Sequence, residues 1–159
     1  RRWHGVRDDV LFVINGGGSE RPRLEALAAG LPNVVFKEFQ PAERLAEVLA
    51  SGDVHLIVLR RGLARSSVPS KLYSIMAAGR PVFASIDADT EVSRVLAEHR
   101  CGRSVEPEDL DAFAEGLAAV IDDPDRVAMG ARGRRFVETW VSSAGVATAY
   151  GELFAELID

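Results

Sequence analysis

The chain has 159 residues, 47% hydrophobic and 27% charged, with nineteen basic against twenty-four acidic side chains and a formal charge of −5. Its length predicts one domain over residues 1–159 with a core of its own. The acidic balance excludes a polyanion binder, which needs a basic face, and no apolar run approaches the roughly 18 residues of a membrane span. The opening RRWHGVRDDV lacks the apolar stretch of a signal peptide. The single cysteine, Cys101, excludes a disulfide framework and favours a reducing compartment.

Short apolar runs alternate with helical patterns along the chain. Val10–Ile14 is a continuous apolar run that stops at Gly16-Gly17-Gly18. Residues 22–30 predict a short helix, with Pro22 in its first turn and Gly30 after its last. Val34–Phe36 reads as a strand, and 41–50 as a helix with Leu45, Val48 and Leu49 on one face. Asp53–Leu59 is the next apolar strand. Ser70–Ala78 is a helix closed by Gly79, Pro81–Ser85 a strand, and Thr90–His99 a helix. A short strand over Gly102–Val105 precedes three helices, over 109–121, 126–140 and 144–158. Strands that are apolar throughout and separated by helices imply a parallel sheet covered on both faces. The expected fold is α/β: a doubly wound, mainly parallel, Rossmann-like sheet with a helical C-terminal tail. Ligands of such sheets lie beyond the carboxyl ends of the strands. That rule selects the loops 15–21, 37–41, 60–70 and 86–91.

The first of these loops, NGGGSERP, is neither G-x-G-x-x-G nor a Walker loop. Its glycines permit either a tight turn into the helix or close approach of a nucleotide. The segment 60–85 says more. A polar loop with Arg60, Arg61 and Arg65 runs into a helix that opens at Pro69-Ser70-Lys71. The amides of Ser70 and Lys71, the Ser70 hydroxyl and the Lys71 ammonium suit an anion there. This positive charge is local and runs against an acidic whole. Ala77, Ala78 and Gly79 are expected to let that helix pack tightly on the sheet.

The stretch PSKLYSIMAAGRPVFAS resembles the donor-site signature of family-four retaining glycosyltransferases, which have the GT-B fold. The order of elements resembles the C-terminal, donor-binding half of that family over most of residues 10–140. Its marks are a strand ending in Gly16-x-Gly18, a helix running to Ser51-Gly52-Asp53, the signature, and a Cys101-Gly102 to Pro107 turn. The PSK form with Gly-Arg-Pro-Val looks like a bacterial polysaccharide subgroup, some of whose members use UDP-linked sugars. Two family glutamates, at the positions of Ser66 and Ser74, are replaced by serine. A hydroxyl there keeps a hydrogen bond to the donor but loses the charge-assisted pairing of a carboxylate. Glu91 either substitutes for the lost ribose ligand or is a first-turn acid favoured by the helix dipole.

The resemblance implies transfer, with retention, of a sugar from a nucleotide-diphosphate sugar, UDP-sugar favoured, to a glycan or lipid-linked acceptor. The implied donor-binding residues are Gly16, Gly17, Gly18, Gln40, Arg65, Ser66, Ser70, Lys71, Ser74 and Glu91. No catalytic residue is assigned. Cations and helix amides neutralise the leaving diphosphate, so neither a metal nor a cofactor is expected. The family's first strand of this domain, its usual Arg and Lys pair, and the N-terminal acceptor domain have no counterpart in these residues. In a sheet ordered 3-2-1-4-5-6 that strand is central. The 159 residues alone are therefore expected to be inactive. A nucleotide-sugar 2-epimerase-like domain and a non-catalytic small-molecule-binding module share the architecture and stand as alternatives.

Asp87-Ala88-Asp89 matches a D-x-D metal motif only superficially. His55 in DVHLIVL is read as a buried histidine with a backbone partner, and Cys101 as inert packing. Gln40 either reads a base through its amide or ends a plain turn before Pro41. Arg132, Arg134 and Arg135 form a basic cluster read as a solvated face, one that in a complete cytoplasmic enzyme can meet the inner membrane surface. The last helix carries Val146, Tyr150, Leu153, Phe154 and Leu157 on one face. That face must pack on this domain, on the acceptor domain or on a second copy in a homodimer.

Overall fold

A computed structural model describes the chain except Arg1, Arg2, His4, Ser67 and Asp159, and the side chains of Arg65 and Ile158. Its strands are β1 (Phe12–Asn15), β2 (Val34–Lys37), β3 (His55–Val58), β4 (Val82–Ser85) and β5 (Gly102–Val105). Its helices are α1 (Arg21–Ala28), α2 (Leu45–Ser51), α3 (Lys71–Ala77), α4 (Glu91–Glu98), α5 (Leu110–Ile121), α6 (Arg126–Phe136) and α7 (Ser143–Ile158). All strand pairs are parallel, as the uninterrupted apolar runs require. The architecture is Rossmann-like α/β, with a helical tail.

The strands form two sheets rather than the one expected: β1-β2 and β3-β4-β5. The chain correspondingly divides into two compact units, Arg1–Val48 and Leu49–Asp159. Among the described residues no strand supplies the centre of a 3-2-1-4-5-6 order, and each sheet keeps an unpaired edge.

In the first unit the apolar run of β1 is not buried. Phe12 is half-buried and packs on Trp3, with ring centroids 5.7 Å apart. Leu11, Val13 and Ile14 are exposed, and α1 buries no residue. The run reads as a core strand because its sequence is apolar on both faces, yet this unit covers neither face.

The second unit holds the core, and β4 is its centre. All four of its residues are buried. Val82 and Ala84 join Leu72, Ile75 and Met76 of α3 and Val92, Val95 and Leu96 of α4. Phe83, on the opposite face by the alternation of a strand, meets Phe113 of α5 edge-on at 5.1 Å. Helices thus cover both faces of this sheet. Two local signals set α4 and α5. Thr90 caps α4 in a capping box with Ser93, and Asp109 caps α5 by accepting from the amides of Asp111 and Ala112.

Small residues act elsewhere than expected. Ala77 is exposed, so the tight packing of the α3 end is not on the sheet. It is against α6, where a Cβ at Gly130 would lie 2.1 Å from the Gly79 carbonyl oxygen. Gly79 itself needs its glycine, with φ +69° closing α3. The predicted helix 126–140 continues past Phe136 and widens into a π-helical turn over Val137–Val141. Cys101 is fully buried with its thiol pKa pushed up to about 11 by desolvation, an inert packing residue. The apolar face of α7 remains exposed at Val146, Tyr150, Leu153, Phe154 and Leu157. Among the described residues no helix is long and apolar enough to cross a membrane.

Gly130→Ala should lower stability by about 1–3 kcal/mol, because the obstructing atom is backbone and cannot yield. Gly151→Ala, in α7 with nothing within 4 Å of its Cβ position, should instead be neutral or stabilising by up to about 1 kcal/mol. Urea denaturation of both variants checks the contrast.

Candidate functional site

The glycine loop follows β1 in the first unit. Gly16 and Gly18 have φ of +114° and +137°, angles that side chains rarely adopt. Gly16 is buried, and a Cβ on it would lie 2.8 Å from the Phe39 ring. The loop is held by Arg21, the residue that breaks the G-x-G-x-x-G pattern. Its guanidinium donates to the Gly16 carbonyl at 2.8 Å and pairs with Glu25 and Glu38, each at 2.8 Å. The bond to Glu25, first, and then the charge of Glu38 raise its pKa further. Gly17 and Gly18 stay exposed and carry no neighbour near their Cβ positions. Gln40 is exposed, donating to the Glu38 carbonyl at 3.1 Å.

The remaining loops belong to the second unit. Gly62 (φ +84°) turns the chain after β3 into a 3₁₀ turn over Leu63–Arg65. Its amide donates to both carboxylate oxygens of Asp87, at 2.9 and 2.8 Å. Asp87 is only 6% exposed, and its own carbonyl accepts the Thr90 hydroxyl. One carboxylate therefore ties the loop after β3 to the loop after β4. Arg61 does not add free positive charge to the approach, as the sequence suggests. It donates to Glu106 at 3.1 Å and to the Pro107 carbonyl at 2.9 Å. Between these groups lies an open cavity of about 410 Å³, lined by Arg61, Gly62, Asp87, Ala88, Asp89 and Glu106. It sits at the carboxyl ends of β3, β4 and β5, where open parallel sheets take ligands.

Lys71 and Ser74 lie on α3, with Ser70 at its N-cap and Ser66 at the end of the preceding 3₁₀ turn. The Lys71 ammonium donates to the Leu56 carbonyl at 2.9 Å. His55 and Leu59 bond across to β4 through Pro81 and Ser85. The alternation of a parallel ladder therefore turns the backbone groups of Leu56 to the open edge of β3. Desolvation at that edge lowers the Lys71 pKa. His55 lies nearby, its Nε2 2.7 Å from the Leu49 carbonyl. It is the backbone-satisfied histidine expected. Desolvation first, then the charges of Lys71 and Arg80, lower its pKa.

Ser66 donates to the Leu63 carbonyl at 3.1 Å, while Ser70 and Ser74 are exposed. The Arg65 side chain lies outside the described residues. Glu91 pairs with Arg94, and its charge reaches Tyr73 of α3, whose pKa is raised by desolvation and then by Glu91. In this unit the structure thus places Lys71 and Ser74 on α3, while Glu91 opens α4 and acts on Tyr73 of α3 through its charge. Gly16, Gly17, Gly18 and Gln40 belong to the first unit. Asp87 is committed to the Gly62 amide, and among the described residues no group of three or more His, Cys, Asp or Glu can hold a metal.

The family model described as "Glycosyl transferases group 1" matches residues 1–123. The chain belongs to the group 1 glycosyltransferases. It is 38% identical over 117 residues to WcaI of Escherichia coli (strain K12), named as a colanic acid biosynthesis glycosyl transferase. That match takes in 70% of this chain and 28% of WcaI. Over 75 residues it is 39% identical to WbjE of Pseudomonas aeruginosa, named as a glycosyltransferase, covering 47% of this chain and 18% of WbjE. The chain therefore spans less than a third of the curated relatives it matches. The crystal structure of WaaG, a glycosyltransferase involved in lipopolysaccharide biosynthesis, is similar in fold. Its TM-score is 0.64 at 23% identity, over 85% of this chain and 35% of WaaG. The spinosyn forosaminyltransferase SpnP aligns with TM-score 0.52 at 18% identity, over 98% of this chain and 46% of SpnP.

Two residues of this group 1 glycosyltransferase chain position its loops beyond what the motifs indicate: Arg21 and Asp87. The signals existed. An arginine opening α1 just before Pro22, and an aspartate two residues past the buried β4, are charges placed where the backbone turns. Asp87→Ala should cost about 1–3 kcal/mol, since it removes both charge-assisted bonds to the Gly62 amide, and should speed hydrogen exchange at that amide. Denaturation and exchange mass spectrometry read both.

The low pKa of His55 carries a pH signature. As pH falls, the unfolded chain takes up the proton first. Its contribution to stability is therefore complete above the ordinary value of 6.5 and is lost as pH falls from there toward the folded-state value. An NMR titration should place the His55 ring below 6.5; a value above it contradicts the geometry.

Proposed function

We propose that these residues form the donor-binding domain of a GT-B retaining glycosyltransferase of bacterial surface-glycan synthesis. The supporting observation is the family match over residues 1–123 on a parallel sheet whose strand ends carry the predicted loops. The donor is a nucleotide-diphosphate sugar, UDP-sugar favoured, and the acceptor a glycan or lipid-linked glycan held by an N-terminal acceptor domain of the full-length protein. The enzyme works in the cytoplasm, peripherally at the inner membrane face.

In this reading Lys71 and Arg65 supply positive charge to the leaving diphosphate, with Ser70 beside them. Ser66 and Ser74 take the places of the family's two glutamates and donate hydroxyl hydrogen bonds to the sugar and ribose. Glu91, whose charge is felt by Tyr73 of α3, supplies the carboxylate that those serines lack. Gly17 and Gly18 leave room for backbone approach, and Gln40 presents its amide to the base. The loss of a bond to the Leu56 carbonyl accompanies any turn of Lys71 toward the ligand, a cost the diphosphate charge offsets. No metal takes part, because the charge is met by cations of the protein.

Calorimetry with UDP, GDP and ADP tests this. UDP should bind the chain, Lys71→Ala should weaken it about tenfold, as for loss of one charged hydrogen bond, and EDTA should change nothing. These 159 residues alone should not turn over a nucleotide-sugar. If no nucleotide binds and Lys71→Ala alters nothing, the assignment fails.

A further inference from the structure

The second unit carries a basic cavity at the opposite end of α4 from the donor loop 86–91. It measures about 360 Å³ and lies where the loop after α4 meets the end of α6. Its walls include Arg100, Arg132 and Arg135, with the His99 and Phe136 rings, 4.2 Å apart, and Trp140.

The charges in this cavity divide into spent and unspent. Arg132 is fixed in place, donating to the Arg100 carbonyl at 2.8 Å and pairing with Asp125 at 2.8 Å. The one acid of the wall, Glu98, is taken by Arg94 at 3.2 Å. Arg100 and Arg135 have exposed side chains with no hydrogen-bond or ion-pair partner among the described residues. The neighbouring Arg134 is paired with Glu138 at 2.7 Å and does not line the cavity. The basic cluster is thus not a uniform solvated face. Two unpaired guanidiniums flank a third that is held rigid, beside an aromatic wall.

The backbone supports the same reading. Arg100 adopts φ +48°, a left-handed conformation that disfavours arginine, and so stands at the cavity mouth at a conformational cost. Trp140 is 59% exposed at the rim, on the π-helical turn that continues α6. Such turns recur at functional sites. An apolar platform beside paired planar donors matches a ligand with a phosphoryl head and an apolar or planar body. Guanidinium forks bind phosphoryl oxygens bidentately, which lysine does not do.

We propose that this cavity is a phosphoryl-binding site distinct from the donor loops, with Arg100 and Arg135 as its ligating residues. Free phosphoesters and phospholipid headgroups share that chemistry. The chain has two tryptophans, Trp3 and Trp140, so a Trp3→Phe chain reports on Trp140 alone. Inorganic pyrophosphate, and separately vesicles of phosphatidylglycerol or phosphatidylcholine, are added to this chain while Trp140 emission is read. Arg100→Asn, which tolerates the left-handed backbone, and Arg135→Ala are compared, both expected to fold as judged by unchanged melting.

A pyrophosphate response weakened tenfold or more by either substitution, and retained in Lys71→Ala, supports a site for soluble phosphoesters. A response to phosphatidylglycerol alone, with phosphatidylcholine silent and the same two substitutions abolishing it, supports a headgroup site. No response to either probe, or a response unchanged in the double variant, overturns the proposal. Loss of the pyrophosphate signal in Lys71→Ala also overturns it, since the anion would then be reporting the donor loops.

Discussion

The double-sided burial of β4 is the constraint on which the second unit depends. A strand with no exposed residue must be covered twice, and its sequence PVFAS divides the task. Val82 and Ala84 seat α3 and α4, while Phe83 seats α5. The cover is close enough that glycine is required around it. A Cβ at Gly116 would lie 2.9 Å from the Phe83 ring, and one at Gly102 would lie 2.1 Å from the Val82 carbonyl. Side chains at these places would force the layers apart, and tightly packed interiors transmit such strain rather than absorb it.

That burial also fixes where charge can be used. β4 delivers Asp87 to the end of the sheet with its carboxylate already out of water, so it must be satisfied there. The Gly62 amide supplies the partner, and the loop after β3 is held as a result. Arg61 and Glu106 repeat the device one strand further on. Much of the charge that the sequence displays around the site is consumed in holding loops. What remains for an anion is a smaller set, headed by Lys71, and that economy suits a protein with a net charge of −5.

The elements were legible because their signals are local. Gly30 and Gly79 stop helices where expected, with φ of +78° and +69°, and Thr90 and Asp109 start them. β5 falls on Gly102–Val105 as read. The π-helical turn at Val137 was not legible, since neither proline nor glycine marks it. Nor was the exposure of β1, because an apolar run states a preference for burial and not whether neighbours exist to provide it. At the site, the positions of Lys71, Ser74 and Glu91 along α3 and α4 followed from helix boundaries. Partner choice did not. That Arg61 faces Glu106, and Asp87 a backbone amide, depends on residues 45 and 25 positions away in sequence, and no local pattern encodes such pairings.

Of the open strand edges, those of β1 and β3 differ in how they meet other chains. Exposed strand edges are templates for intermolecular pairing, and proteins blunt them with charge, lysine above all. The edge of β3 has this defence, since the Lys71 ammonium occupies the Leu56 carbonyl that an incoming strand would need. β1 has none among its described neighbours on the strand. Leu11, Val13 and Ile14 are exposed, and Phe12–Asn15 carries no charged residue. Aggregation of this chain would therefore begin at β1 and leave the β3 edge closed, so that solubility and ligand chemistry are governed from different units.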